Sequence, residues 1–254
     1  MASDPRFAAN HAGVEHRAEM LAVIPPIMTG KAPLPIGPLV PPTEPRTPSR
    51  APLTGTHVHL RPIDPPSHTA PLFACSHGSL EHDALWTYLP YGPFPDAATM
   101  QAWLVERAVS HDPMWFTVVD RSSETPIGMV SFMNIVPEMR RLELGHIWYG
   151  PQAQRTKINT ETIYLMLRRT FNELEYRRAE WKCDALNARS RAAALRLGFR
   201  FEGIFRQHLI YKGRNRDTAW FSMMDHEWPR IKTNMERWLA AENPGLSLAA
   251  LNRA

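Results

Sequence analysis

Residues 142–161 read LELGHIWYGPQAQRTKINTE, and this stretch decides how the rest of the chain is interpreted. An apolar, strand-forming segment is followed by a short Gly-Pro-Gln loop and then by a helical pattern from about Thr160. Backbone N–H groups at a helix start have no intrahelical partners, and the helix dipole adds partial positive charge there. Arg155 and Lys157 add formal charge. The stretch therefore predicts an anion-binding loop suited to phosphate.

The alternative is an ordinary helix start, with Thr160 as the cap and Glu161 complementing the dipole, and the charge distribution argues against it. Residues 155–216 hold 15 Lys or Arg against six Asp or Glu, whereas the whole chain has a formal charge of +4. A basic field on one subregion is either a solvated face or a site for a polyanion such as a nucleotide cofactor, an acidic peptide or nucleic acid. The segment lacks zinc-finger spacing, an RNP-type aromatic run and a recognition helix, so we do not expect nucleic acid to bind.

The composition limits the class of protein. The chain has 254 residues, of which 44% are hydrophobic and 21% charged, which is typical of one large globular domain or of one domain with an appendage. No apolar run approaches the roughly 20 residues of a membrane-spanning helix, and the first residues do not resemble a secretory signal. Two cysteines, Cys75 and Cys183, cannot make a disulfide framework, and we expect Cys183 to be buried and inert. A cytoplasmic, reducing compartment is expected.

Proline is distributed unevenly, since 15 of the 24 prolines lie within Pro5–Pro71. Proline lacks the backbone donor and fixes φ, so residues 24–71 are predicted to form neither helix nor central strand. We expect a partly ordered, extended arm, either solvated or serving as a docking peptide for a proline-binding partner. Within it, His57–Pro62 alternates like a strand, and residues 8–24 have a weak helical pattern. The predicted organisation is an arm (1–71), a folded domain (72–240) and a C-terminal tail (241–254).

Beyond residue 71 helical and strand patterns alternate, which predicts a mixed α+β fold. Ser79, Asp96 and Asn187 are the expected N-caps of three helices, and Gly198 is the expected stop of the last. The predicted helices are 79–86, 96–108, 160–174 and 187–197, and the predicted strands are 114–120, 127–135, 142–149, 176–186, 201–211 and 217–224.

This order of motifs resembles the GCN5-related N-acetyltransferases (GNAT), and more narrowly the RimJ/RimL-type branch, whose founders acetylate protein N-termini. The resemblance covers Trp86–Trp238, and its most specific part is NARSRAAALRLGFRFEG at residues 187–203. It implies a mostly antiparallel, twisted sheet with a splayed central strand and flanking helices. The strand and loop of residues 142–161 would then run beside the pantetheine arm and cradle the pyrophosphate of acetyl-CoA.

The resemblance also implies an activity. It predicts an acetyl-CoA-dependent N-acetyltransferase that moves the acetyl group directly to a primary amine, either on a small molecule or at a peptide N-terminus. We expect acetyl-CoA as the donor, no metal, and a monomer or a homodimer. The alternative is a CoA-binding or scaffold protein with a GNAT fold that has lost catalysis.

One departure from the family pattern motivates that alternative. The family loop reads Gln/Arg-x-x-Gly-x-Gly/Ala, and this chain has Gln154, Lys157 and Asn159 at those places. Losing both glycines tightens the loop where the backbone approaches phosphate, but it keeps the amide donors. Lys157 is expected to compensate electrostatically as a point charge.

The resemblance assigns roles to individual residues. Glu143 matches the acid of the family's strand pattern and is the first candidate for the general base. His146, expected on the opposite face of that strand, is the second, although a lone strand histidine is more often structural. Ser190 matches the position of the acid that protonates the departing thiolate, or is only a helix-start residue. The expected cofactor contacts are Ile147, Trp148, Tyr149, Gln154, Arg155, Thr156, Lys157, Ile158, Asn159, Thr160, Asn187 and Arg191.

The acceptor side is expected around residues 86–94, WTYLPYGPF, where the family places its acceptor-binding loop. Such an aromatic cluster is either ordinary core or a lid over an amine. Two residues on a later strand are expected to meet an acceptor carboxylate. The expected acceptor contacts are Trp86, Tyr88, Tyr91, Arg206 and His208.

Overall fold

The structure is a computed structural model that describes residues 34–241 and 245–253. The chain divides into two compact units, Met1–Thr43 and Glu44–Ala254. Of the first unit, residues 34–43 are described; they have no regular secondary structure and are exposed. The helical pattern at residues 8–24 lies outside the described residues. Everything below concerns the second unit.

An eight-stranded sheet in the order β1-β2-β3-β4-β5-β6-β8-β7 organises this unit. Neighbouring strands are antiparallel except β5 and β6, which are parallel. This mostly antiparallel arrangement confirms the predicted fold class. The strands are β1 Leu53–Thr54, β2 Val58–Pro62, β3 Met114–Asp120, β4 Thr125–Val136, β5 Arg141–Tyr149, β6 Arg178–Asp184, β7 Arg200–Tyr211 and β8 Arg214–Met224.

Seven α-helices are present among the described residues. None of the helices in that part of the chain is long and apolar enough to cross a membrane. They are α1 Pro65–Ala74, α2 Leu80–Asp83, α3 Ala97–Val109, α4 Lys157–Arg168, α5 Ala188–Arg196, α6 Trp228–Ala240 and α7 Leu248–Arg253. A π-helical turn, Arg169–Glu173, continues α4.

Two hydrophobic clusters, one on each face of the sheet, hold the layers together. Ile163 of α4 and Ile231 of α6 pack in the first cluster, with strand residues from β1 to β8. Leu72 of α1 and Leu104 of α3 pack in the second, with Trp148 of β5 and neighbouring strand residues. Burying both faces in this way supplies most of the driving force for folding.

The packed fold begins earlier than the proline count predicts. β2 pairs with both β1 and β3, so the strand predicted at His57–Pro62 is confirmed. α1 starts with Pro65 and Pro66 at its first positions, where the missing N–H has no partner to lose and the fixed φ suits a helix. Pro71 lies inside the same helix. The prediction that residues 24–71 form neither helix nor central strand is therefore wrong for β2 and α1.

Side-chain caps fix the helix boundaries where the sequence predicts them. Ser79, Asp96 and Asn187 each accept a hydrogen bond from a backbone N–H of the helix that follows. α4 is the exception, because it begins at Lys157 and is capped by Thr156, whose Oγ1 accepts from the N–H of Ile158 at 3.2 Å. Thr160 was expected to be the cap and instead lies buried within the helix.

Glu161 ties α4 to the start of the sheet. Its buried carboxylate accepts hydrogen bonds from the backbone N–H groups of Thr56, His57 and Val58 at 2.5–2.9 Å. Gly55 is required beside it, since a Cβ there would lie 2.5 Å from the Glu161 carboxyl carbon. Glu161 therefore does more than complement the helix dipole: it anchors the β1–β2 turn on α4.

The predicted tail carries α7, which packs on α5 and α6. Asn252 Nδ2 donates to the Arg196 carbonyl at 2.9 Å, and Asn234 Nδ2 donates to the Leu251 carbonyl at 2.9 Å. Leu248 is buried in the first cluster. The described part of the tail thus belongs to the fold.

Candidate active site

β5 and β6 run side by side only at their beginnings. Their parallel register pairs Arg141 with Arg178 and ends at the pair Glu143–Glu180. Beyond that pair, residues 144–149 and 181–184 diverge, so the sheet opens into a V with its vertex at Glu143 and Glu180. This opening confirms the predicted splayed central strand. It leaves a backbone edge of β5 available to a ligand that can hydrogen-bond like a strand.

A β-bulge in β5 lies just beyond the vertex. Between Gly145 and Trp148, β5 has one residue more than the facing segment of β4, and His146 adopts a φ of +53°. The extra residue shifts the alternation of side chains. His146 stacks on Trp115 with ring centroids 4.3 Å apart, in the cluster that contains Trp148. Both neighbours of Glu143 pack in the other cluster, so Glu143 and His146 share one face of the sheet.

The prediction that Glu143 and His146 lie on opposite faces is therefore wrong. It assumed strict alternation along the strand, which the bulge interrupts. The consequence is favourable for chemistry, because both candidate bases are presented to the same side of the V.

Glu143 is one of two buried carboxylates that share an ammonium group. It accepts a hydrogen bond from Asn134 Nδ2 at 2.6 Å, and its Oε2 lies 2.9 Å from Lys182 Nζ. The same Nζ lies 2.9 Å from Oε2 of Glu180 and 3.9 Å from the ring centroid of Trp220. Burial raises the pKa of Glu180, but hydrogen bonds from arginine and lysine neighbours outweigh it and hold that pKa below its ordinary value.

Sequence reasoning missed this charged group, although part of its signal was present. Glu180 and Lys182 alternate with the apolar face of β6, a pattern that by itself indicates only the other face of the strand. Only the parallel register of β5 and β6, which periodicity does not provide, brings them next to Glu143. Once that register is known, the pairing of Lys182 with Glu143 on the adjacent strand can be predicted.

His146 is held as a neutral imidazole. Burial, together with the nearby positive charges of Arg107 and Arg216, lowers its pKa to about 4. Its ring also lies 5.5 Å from that of Tyr91. His146 is therefore able to accept a proton at neutral pH, but with low affinity.

The predicted phosphate loop lies at the far end of β5. Gly150 passes so close to α1 that a Cβ there would lie 2.8 Å from the Cys75 carbonyl oxygen. Arg155 adopts a φ of +61° just before the Thr156 cap, which turns the chain into α4. The first-turn N–H groups of α4 lack intrahelical acceptors, and the dipole reinforces their positive potential. The amide donors predicted from the sequence are thus in place.

The side chains of this loop are committed mainly to the protein itself. Gln154 Nε2 donates to the Tyr149 carbonyl at 3.2 Å, and Asn159 Oδ1 accepts from the Tyr149 hydroxyl at 3.1 Å. Thr160 Oγ1 accepts from Arg196 at 2.9 Å. These contacts leave the backbone, more than the side chains, to face an anion.

Lys157 does not supply the compensation expected of it. Its Nζ donates to the carbonyls of Leu239 and Ala241 at 2.7 and 3.0 Å, at the carboxyl end of α6. A cation at that end satisfies carbonyls without helical partners and complements the dipole. The Lys157 ammonium is therefore bound to the end of α6. A sequence pattern cannot reveal this contact, because Lys157 and Leu239 are some 80 positions apart.

Ser190 and Asn187 meet at the start of α5, beside the end of β6. Asn187 Oδ1 accepts from the Ser190 N–H at 3.0 Å, and Ser190 Oγ accepts from Trp181 Nε1 at 3.0 Å. The indole N–H occupies an acceptor position of the hydroxyl, and the hydroxyl also makes a side-chain hydrogen bond with the buried Cys183 thiol. Arg191, in the same turn, donates to the Ala185 carbonyl at 3.2 Å.

The predicted acceptor loop, residues 86–94, reaches across the opening. Tyr88 donates to the Leu186 carbonyl in the β6–α5 connection at 3.3 Å, and Lys212 of the β7–β8 turn donates to the Trp86 carbonyl at 2.9 Å. Trp86 itself is 1% exposed and belongs to the core. The loop thus bridges from the α1–α3 side to the far side of the V.

Unpaired donors lie beneath this bridge. In the described part of the chain, the indole N–H of Trp115 is buried without a hydrogen-bond partner, and the Tyr91 hydroxyl and the Trp148 indole N–H are buried with no side-chain partner other than each other. Burial also raises the pKa of Tyr91 well above its ordinary value, so it stays a neutral phenol. Buried donors of this kind favour an acceptor group brought by water or a ligand.

Arg206 and His208 line an open cavity of about 940 Å³ at the bulged part of β7. His208 Nδ1 lies 3.0 Å from Thr218 Oγ1, and its ring lies 6.0 Å from that of Trp220. Trp220 in turn contacts Lys182 at the vertex. The two predicted acceptor residues therefore belong to one surface that continues to the vertex.

Comparison with known proteins agrees with this geometry. Residues 57–200, more than half of the chain, match the family model described as the acetyltransferase (GNAT) domain. The chain belongs to the GNAT acetyltransferases. This match begins at the start of β2, in agreement with the early beginning of the packed fold.

Individual relatives of this GNAT protein are also named as acetyltransferases. A solved GCN5-related N-acetyltransferase from Brucella melitensis is 39% identical, with a TM-score of 0.79 over 82% of this chain and 97% of that one. YdaF of Bacillus subtilis (strain 168), provisionally named a ribosomal N-acetyltransferase, is 31% identical over 101 residues, which are 40% of this chain and only 55% of YdaF. RimJ of Mycobacterium smegmatis, solved with CoA-disulfide, shares the fold at 18% identity and a TM-score of 0.61, over 71% of this chain and 88% of that one. The predicted GNAT family is confirmed.

Proposed function

We propose that this GNAT protein is an acetyl-CoA-dependent N-acetyltransferase whose acceptor is the N-terminal amine of a peptide or protein. The observation that carries the proposal is the V between β5 and β6, which joins buried carboxylates at its vertex to a loop of amide donors at its open end. A protein acceptor is supported by the name of YdaF, which describes that relative as a ribosomal N-acetyltransferase.

The chain offers suitable groups for acetyl-CoA. The first-turn amides of α4 and the Arg155 guanidinium suit a pyrophosphate, and the free edge of Ile147–Tyr149 suits an amide-bearing arm. Arg191, at the start of α5, supports the adenosine end. When bound, acetyl-CoA supplies an activated acetyl group as a thioester. RimJ, which has the same fold, was solved with a CoA derivative.

The residues of the V divide the proton transfers between them. Glu143 takes the proton from the acceptor ammonium, directly or through water, because an ammonium holds its proton at neutral pH. His146, on the same face, is the weaker candidate for this step. Ser190, whose hydroxyl also bonds the Cys183 thiol, donates its hydrogen toward the departing thiolate. Tyr91 and the bridging loop exclude bulk water from the vertex.

One observation favours a second function, a CoA-binding or scaffold protein without catalysis. The loop has lost both family glycines, and Lys157 does not compensate because it is bound to α6. A site built this way holds phosphate less tightly and positions the thioester less closely.

A thiol-release assay distinguishes the two functions. The protein is mixed with acetyl-CoA and a library of peptides with free N-termini, and the same peptides with acetylated N-termini are the matched control. We expect thiol release with the free peptides alone. CoA-dependent stabilisation against heat, without thiol release for any amine, would instead establish the non-catalytic function.

A further inference from the structure

Lys182 extends from β6 into the vertex of the V, where it meets both buried acids. Its Nζ lies 2.9 Å from Oε2 of Glu143 and 2.9 Å from Oε2 of Glu180. Glu143 is 4% exposed and Glu180 is 5% exposed. The Lys182 side chain is 12% exposed, and its ammonium sits over the Trp220 ring. A lysine this enclosed is shielded from solvent on several sides, so its charge acts strongly on its two partners.

The two carboxylates depend on Lys182 to different degrees. Glu180 has a second cation, because Arg178 Nε lies 2.8 Å from its other oxygen and Arg141 lies 3.9 Å away. Glu143 is bonded to the neutral amide of Asn134, and Lys182 is the cation paired with it in the described residues. Lys182 therefore decides the charge of Glu143 more than that of Glu180.

Other charged or titratable groups surround this pair from every neighbouring element. Glu180 shares the Lys182 ammonium at 2.9 Å, and the groups are of both signs. They are Arg107 of α3, Arg141 and His146 of β5, Arg178 and Glu180 of β6, Glu202 of β7 and Arg216 of β8.

Without Lys182, two acids would face each other in a buried position. Desolvation and like-charge repulsion both disfavour a second ionised carboxylate, and one of them would take up a proton. A protonated Glu143 cannot accept a proton from an amine. The lysine is thus placed to keep Glu143 competent as a base.

We propose that Lys182 is a positioning residue of the acetyl-transfer site, which holds Glu143 ionised and oriented at the vertex of the V. This rests on the proposed function. In the proton-transfer step, an N–H bond of the acceptor ammonium breaks, its electron pair stays on nitrogen, and the proton passes to the Glu143 carboxylate. Lys182 acts through Glu143 and does not touch the reacting atoms.

The first test measures stability and needs no activity. Lys182→Met keeps most of the side-chain stem and removes the charge. We expect its Tm deficit relative to the wild type to be largest near about pH 8 and to shrink toward about pH 5, because the folded variant takes up a proton that the wild type does not. Adding Glu143→Gln to Lys182→Met restores part of the lost Tm at the higher pH.

Lys232→Met is the matched control. Lys232 Nζ lies 3.9 Å from Glu236 Oε1 within α6, outside the V. We expect its Tm difference to stay small at every pH. A deficit in Lys182→Met that is independent of pH, and that Glu143→Gln does not relieve, would overturn the proposal, because it would mean that the lysine contributes packing alone.

The second test measures the pH profile of thiol release. In Lys182→Met we expect kcat/KM near neutral pH to fall at least about tenfold and the acid limb of the profile to move up by about one pH unit or more. KM for acetyl-CoA changes less than about twofold, and Lys182→Arg recovers most of the loss. An unshifted profile overturns the proposal. If the wild type releases no thiol with any amine, the proposed function fails, and the stability test alone decides whether Lys182 holds Glu143 ionised.

Discussion

His146 shows how burial at a single residue sets a protonation state. It is enclosed by Trp115 and Tyr91 at the bulge of β5, and its pKa falls to about 4 from an ordinary value near 6.5. The unfolded chain therefore binds a proton between these values and the folded chain does not. Folding stability is complete above about pH 6.5 and is lost as the pH falls toward 4, by up to about 3 kcal/mol.

His146→Asn tests this dependence. Asparagine tolerates the positive φ that the bulge requires and does not titrate. At pH 7 we expect the variant to be less stable, because it loses the stacking on Trp115. The difference in the free energy of unfolding between the wild type and the variant narrows as the pH is lowered toward 4.5. Urea unfolding at several pH values measures this difference. A gap that stays constant would show that His146 titrates normally in the folded protein.

Ser190 lends itself to a similar single-residue test. In Ser190→Ala we expect kcat for thiol release to fall about tenfold or more, since the hydrogen aimed at the thiolate is lost, with the CoA dissociation constant unchanged within about twofold. Stability falls by about 1 kcal/mol because the Trp181 N–H loses its acceptor. Ser123→Ala, in an exposed turn, is the control. Unchanged kcat would assign Ser190 to the helix start alone.

At the scale of elements, α4 connects three parts of the fold. Its first turn carries the amide donors, Glu161 holds the β1–β2 turn, and Lys157 caps α6. The lysine that the sequence places beside phosphate is therefore a tie between two helices. We expect stability, more than ligand affinity, to depend on it.

Lys157→Met separates these two roles. We expect Tm to fall, because two charge-assisted hydrogen bonds to α6 are lost at a cost of about 1–3 kcal/mol. The dissociation constant for CoA, measured by calorimetry, changes less than about twofold. A tenfold weaker affinity with unchanged Tm would mean that the ammonium faces the phosphates after all.

Local patterns predicted most of the strands and the helices α2 to α5, but missed α1, α6 and α7. Capping side chains such as Asp96 and Asn187 act within three residues, so the sequence places the helices that they begin. The bulge at His146 depends on β4, and the contact between Glu143 and Lys182 depends on the register of β5 with β6. Such pairings join distant parts of the chain, and periodicity alone does not record them.

At the scale of the molecule, proline content places the boundary between arm and folded domain at residue 71. The structure places the start of the second compact unit at Glu44. Prolines at the first positions of α1 begin a helix, whereas the ten residues described in the first unit have no regular structure. The effect of a proline depends on its position, because a proline at the first position of a helix is compatible with that helix. We propose that the independent domain starts near Glu44, where the second compact unit begins.

Two shortened chains test this boundary. A chain of residues 44–254 keeps the complete sheet, and we expect its Tm to match that of the full chain within a few degrees. A chain of residues 72–254 loses β1, β2 and most of α1, and we expect no cooperative unfolding in circular dichroism. Cooperative unfolding of the shorter chain would restore the boundary at residue 72.

The carboxylate of Glu161 gives the phosphate loop a distant reporter. Glu161 directly follows the first turn of α4, which would receive a pyrophosphate, and its carboxylate is bonded to three amides, those of Thr56, His57 and Val58. Ligand binding that stiffens the start of α4 also lowers the frequency with which these bonds open. Deuterium uptake at residues 56–58, about a hundred positions from the loop, should therefore slow when CoA is added. Occupancy of the site can be followed there by hydrogen–deuterium exchange and mass spectrometry, without chemical modification of the protein and before an acceptor is known.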